Sequence, residues 1–159
     1  MKAVALTHYL PIDDPASLLD MDLPAPSAPA GYDLLVRVEA VSVNPVDTKL
    51  RAPKAQTLAA PKVLGFDAAG VVEAVGPDVT AFAVGDEVYY AGDSGRQGSN
   101  AEYHLVDARI AGCKPTSLSF AQAAAMPLTT LTAWELLFQR MPLALDLSLI
   151  HISEPTRPY

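Results

Sequence analysis

The sequence predicts a mainly β fold with short helices. Through its first two-thirds it is written in short β-prone runs separated by Pro, Gly and Asp, the pattern of strands and tight turns. After Pro115 the apolar spacing changes from two to about 3.6, the period of a helix. Half of the 159 residues are apolar, enough for one cored domain.

Taken in order, residues 2–7 read as an opening strand and residues 18–23 as a second. Pro24, Pro26, Pro29 and Gly31 form a loop, because each proline removes a backbone donor and fixes φ. Residues 33–43, DLLVRVEAVSV, interrupt apolar side chains in near-alternation and predict a long, half-buried strand. Asn44-Pro45 ends it, with Asn44 as N-cap and Pro45 at the first position of a short helix through Arg51.

Residues 52–62 are polar and broken by prolines, and read as a loop. From Val63 two or three strands follow, separated by turns at Gly76-Pro77-Asp78 and Gly85-Asp86. Ala68, Ala69 and Gly70 imply close backbone approach. Residues 92–98 read as a flexible loop, and residues 100–106, NAEYHLV, as an alternating strand. Ser119 caps a helix over FAQAAAM, and Pro127 opens a second that runs to about Arg140 with Leu131, Trp134, Leu137 and Phe138 apolar.

Composition narrows the function. Eighteen acidic against eleven basic side chains give a net charge of −7, which repels nucleic acid and anionic membrane surfaces. Cys113 is the single cysteine, so neither a disulfide framework nor a cysteine-rich zinc cluster forms, and a cytoplasmic setting fits best. No signal segment or apolar run of membrane-spanning length is expected. Gly92, Gly95 and Gly98 lack the G-x-G start of a phosphate cradle and precede a strand. His8, His104 and His151 are scattered singly and are not expected as ligands.

Four stretches in this order carry a resemblance: VSVNPVDTKLR at 41–51, LGFDAAGVVEAVG at 64–76, VGDEVYYAG at 84–92 and PLTTLTAWELL at 127–137. Together they resemble the medium-chain dehydrogenase/reductase superfamily, in its quinone oxidoreductase and zinc-type alcohol dehydrogenase-like branch. The resemblance implies a GroES-like, partly open β-barrel domain over residues 1–118 and the start of a dinucleotide-binding (Rossmann) domain over 119–147. It also implies a cleft between them where NADPH or NADH meets a small quinone or enone. Metal-dependent relatives hold zinc on a thiolate, an imidazole and a third ligand at about 2.0–2.3 Å. Asn44 stands in place of the cysteine and Phe66 in place of the histidine, with the third ligand falling near Met126. No metal is therefore expected, and "zinc" in a family label would reflect ancestry.

By resemblance, the candidate catalytic residues are Asn44, Lys49 and Tyr90. Phe66, Asp67 and Tyr90 are expected at the substrate pocket, and Asn44, Lys49 and Thr130 at the nicotinamide end of the cofactor. Each also has a plainer reading. Asn44 is a good helix cap, Phe66 and one of Tyr89-Tyr90 belong in a core, and Asp67 can hold the following turn. Lys49 is an ordinary solvated lysine on that view, and Thr130 back-bonds within its helix.

A Rossmann strand is expected at residues 147–152, but the glycine fingerprint that should follow is missing, and residues 148–159, SLIHISEPTRPY, resemble translated sequencing adapter. The chain is thus expected to be an inactive front portion of a reductase whose parent is a candidate homo-oligomer. A zinc-dependent alcohol dehydrogenase and a non-enzymatic GroES-like binding module are the alternatives.

Overall fold

A computed structural model describes residues 1–141. Among the described residues, eight strands form two sheets. β1 (Lys2–His8), β2 (Leu19–Asp22) and β4 (Thr57–Val63) make an antiparallel sheet in the order β2-β1-β4. β3 (Asp33–Ser42), β5 (Asp67–Val75), β6 (Glu87–Ala91), β7 (Tyr103–Asp107) and β8 (Ala111–Cys113) make the larger sheet, in the order β7-β3-β5-β6-β8. The mainly β class holds, and the barrel is not closed.

The segment before β7 ties the sheets together. Asn100 and Glu102 exchange backbone hydrogen bonds with Val4 and Lys2, while Glu102 also accepts from Val38 of β3. The single expected strand at 100–106 therefore divides its pairing between two sheets. The expected loop at 52–62 is also corrected, since its second half is β4. Pro61 is tolerated there because β4 is an edge strand, where a missing donor breaks no ladder. The loop at 92–98, expected to be flexible, is anchored: Arg96 grips Asp33 through two hydrogen bonds of 2.8 and 3.0 Å, and Lys62 reaches the Ser94 carbonyl.

Alternation sorts the larger sheet into two faces. Leu34, Val36, Ala68, Val72, Val88, Tyr90 and Val106 form the inner core. On the other face, Ala69 packs beneath Ala123 and Ala124 of α2 (Phe120–Ala124), with Ala40 and Tyr89 beside them. β3 and β5 each carry one extra residue, Glu39 and Glu73, where their register shifts. Arg37, between the two bulges, hydrogen bonds both carboxylates.

Three helices complete the described fold. α1 (Pro45–Arg51) starts at N-cap Asn44 with Pro45 first, as read from the sequence. Ser119 and Gln122 form a capping box at α2, the Ser119 Oγ accepting from Gln122 N and the Gln122 side chain accepting from Ser119 N. α3 (Pro127–Trp134) continues into a π-helical segment, Glu135–Arg140, closed by a bond from Met141 N to the Leu136 carbonyl.

The chain divides into two compact units, Met1–Leu128 and Thr129–Tyr159. The first unit includes α2, which buries its alanines on the large sheet. The expected strand at 147–152 and the non-native tail at 148–159 lie outside the described residues. Among the described residues no helix is long and apolar enough to cross a membrane.

Candidate active site

The end of β3, the start of α1 and the start of β5 bring four polar side chains together. Asp67, the first residue of β5, has no exposed surface. Its Oδ2 accepts from Asn44 Nδ2 at 2.9 Å and from the Ser42 hydroxyl at 3.1 Å, and its Oδ1 accepts from Leu128 N at 3.0 Å. The last bond ties Leu128 to the sheet, using a backbone donor that the start of a helix leaves unpaired. A carboxylate there also complements the helix N-terminus.

Asn44 does two jobs. As N-cap its carbonyl accepts from Asp47 N and its own N–H donates to Asp47 Oδ2 at 2.7 Å, while its side-chain amide turns to Asp67. Asn44 and Asp47 are both buried, and Asp47 Oδ1 is a buried oxygen without a partner. Burial raises the Asp67 carboxyl above its ordinary pKa. Hydrogen bonds from Asn44, Leu128 and Ser42 pull it back, and the nearby Asp47 charge adds to the rise.

Of the expected site residues, Asn44 and Asp67 are in direct contact. Phe66 is half-buried beside Asp67, its carbonyl accepting from Gly92 N at 2.8 Å. Lys49 is exposed in the last turn of α1, and Thr130 is exposed on α3 within the second unit.

Tyr90 lies apart from Asp67. It pairs with Ala68 across β5 and β6, so its ring lies on the inner face, opposite to Asp67, and only 1% of it is exposed. Its hydroxyl meets His104 Nδ1 at 3.0 Å. His104 Nε2 donates to the Gln97 carbonyl at 2.9 Å, so Nδ1 accepts from Tyr90. Burial lowers the His104 pKa to about 4 and pushes the Tyr90 phenol up. The hydrogen bond between them is buried, and Tyr89 is the ring that shares a face with Asp67.

The sequence reading missed Ser42 and Asp47. Asp47 carried a signal, since an acid three residues after an N-cap can return a bond to the cap's N–H. Ser42 carried none, being one polar residue in an alternating strand.

Zinc is held by thiolate, imidazole or carboxylate ligands. An amide and a phenyl ring stand at 44 and 66, and the carboxylate of Asp67 beside them is engaged by three donors. Among the described residues no three His, Cys, Asp or Glu side chains are grouped to hold a metal ion.

Fold and site together define a member of the medium-chain dehydrogenase/reductase superfamily. Residues 30–134 match the alcohol dehydrogenase GroES-like domain, and the chain belongs to that family. It is 54% identical over 110 residues to a zinc-type alcohol dehydrogenase-like protein of Staphylococcus aureus, covering 69% of this chain and 32% of that one. A 2-methylene-furan-3-one reductase of Solanum lycopersicum is 40% identical over 143 residues, covering 85% and 36%. The solved quinone oxidoreductase of Pseudomonas syringae superposes with a TM-score of 0.75 at 35% identity, covering 89% of this chain and 42% of that one. The chain therefore spans about a third of the length of such curated relatives. The family is one of oxidoreductases.

Proposed function

We propose that this chain is the front part of a zinc-independent, NAD(P)H-dependent reductase of quinones or activated enones, acting in the cytoplasm on a small-molecule substrate. The observation that supports the reading is the buried Asn44–Asp67 hydrogen bond, which engages a neutral amide at the position where the resemblance puts a thiolate in metal-dependent relatives. Without a Lewis acid, alkoxide chemistry at an alcohol is disfavoured, whereas charge developing on a quinone or enone oxygen can be held by hydrogen-bond donors. The resemblance to a furanone reductase and a quinone oxidoreductase supports the same substrate class.

NAD(P)H, when bound, supplies hydride. The chain's own residues would position the reacting groups: Asn44 and Lys49 from α1 and Thr130 from α3 toward the nicotinamide end, with Phe66 against the substrate. Asp67 holds Asn44 and Leu128 in place. No glycine fingerprint for the pyrophosphate occurs in these 159 residues, so the activity is assigned to the longer protein.

The test is to express the complete reading frame and follow NADPH oxidation with a quinone and an enone, alongside metal analysis of the purified protein. Turnover by metal-free protein is expected. Stoichiometric zinc, with turnover of alcohols and none of quinones or enones, would overturn the proposal. The zinc-type label of the S. aureus relative is what makes that comparison necessary.

A further inference from the structure

Two edge strands, β4 and β7, contribute walls to a cavity of about 440 Å³ within the first compact unit. That is the size of a small-molecule site, and none of Ser42, Asn44, Asp47, Phe66 or Asp67 lines it. Its walls are mostly apolar. Pro61 and Val63 come from β4, Leu23 and Pro26 from the proline-rich stretch after β2, and Tyr103 and Leu105 from β7, where a spacing of two turns both the same way.

These walls are fixed before any ligand arrives. Gln97 stitches the 92–98 loop to β4, its Oε1 accepting from Val63 N at 2.7 Å and its Nε2 donating to the Pro61 carbonyl at 3.0 Å. Gly98 N donates to the Val63 carbonyl, and from the other side His104 Nε2 donates to the Gln97 carbonyl. Gly98 leaves no room for a side chain, since a Cβ there would stand 2.3 Å from the Leu64 carbonyl carbon. Pro26 and Pro61 hold their own φ. A preorganised wall loses little freedom when a ligand is bound.

Charge narrows the ligand. Although the chain carries 18 acidic residues, none lines the cavity, so a cation finds no partner there. Arg96 lines it and gives one N–H from each Nη to Asp33, at 2.8 and 3.0 Å. Asp33, Asp93 and Asp107 all act on the Arg96 charge, and together with the net charge of −7 they disfavour a full anion. A guanidinium has five N–H groups, so donors remain for a neutral oxygen. We propose that this cavity binds a neutral, apolar ring compound bearing one carbonyl group, with the ring against Pro61, Val63 and Leu105 and the oxygen accepting from Arg96. The proposal stands independently of the reductase reading.

The experiment titrates the full-length protein, carrying ¹³C-labelled methyl groups, with acetophenone, with ethylbenzene, which has the ring without the oxygen, and with benzoate, which has the ring with a full charge. Acetophenone should shift the methyl signals of Leu23, Val63, Ala101 and Leu105 saturably. It should bind about ten-fold tighter than ethylbenzene, the scale of one hydrogen bond, and tighter than benzoate by at least as much. Ala60 lines the cavity from an exposed position on β4, so Ala60→Trp should fill the space and abolish the shifts without entering the core. Arg96→Lys, which keeps a charge beside Asp33 but loses the planar fork, should weaken acetophenone about ten-fold and leave ethylbenzene unchanged. Absence of saturable shifts at these methyls, or shifts that survive Ala60→Trp, overturns the site. Benzoate or ethylbenzene binding as tightly as acetophenone, or acetophenone affinity unchanged in Arg96→Lys, overturns the ligand class.

Discussion

At the scale of single residues, two buried ionisable groups pull acid stability in opposite directions. His104 has a folded pKa of about 4, set by burial, against about 6.5 for an exposed histidine. Between those values the unfolded chain binds the extra proton, so His104 contributes stability that is complete above about pH 6.5 and is lost as pH falls toward 4. Asp67 is raised instead, so its folded form holds its proton longer and its contribution to stability falls as pH rises through that titration. His104→Gln should flatten the loss between pH 7 and 5, read from urea midpoints at each pH. Tyr90→Phe should cost about 1 kcal/mol at pH 7, the net value of one buried hydrogen bond. Asn44→Ala should cost more, about 1–3 kcal/mol by urea unfolding, because it strips a donor from a sealed carboxyl group.

At the scale of elements, Gly70 shows why β3 and β5 approach as they do. A Cβ there would meet the Arg37 carbonyl oxygen at 2.2 Å and Val36 Cγ1 at 2.8 Å, and the first of these is backbone that cannot swing aside. Gly70→Ala should therefore destabilise the domain by about 1–3 kcal/mol, seen as a lower urea midpoint. The sequence made this approach legible through the run Ala68-Ala69-Gly70, just as it made the Asn44-Pro45 helix start and the Ser119 cap legible. β4 was hidden because proline ordinarily argues against a strand, and only the sheet order shows that Pro61 stands on an edge. The face that Tyr90 takes was hidden for a related reason: alternation says that Tyr89 and Tyr90 face opposite ways, but the face is fixed only by the register with Ala68 and Ala69. The Asn44–Asp67 contact spans 23 residues, so its two ends could be suspected through resemblance while their bond could not.

At the scale of the whole molecule, the surface combines a net charge of −7 with a concentrated apolar stretch. Trp134 is 59% exposed, and Leu131, Leu136, Phe138 and Met141 are exposed with it, although such side chains ordinarily mark a helix face that packs. Trp134 and Phe138, one turn apart, stack on each other with ring centroids 4.5 Å apart, which covers only part of each ring. Exposed apolar side chains concentrated in this way favour association, and net repulsion between acidic molecules opposes it only while salt is low. The 159-residue chain should therefore associate with rising concentration, more strongly at high salt, when followed by light scattering. Replacing Leu131, Trp134 and Phe138 together with Gln should remove that association and the accompanying binding of a hydrophobic dye. A triple variant that scatters and binds dye as the parent chain does would instead place the associating surface on the β domain.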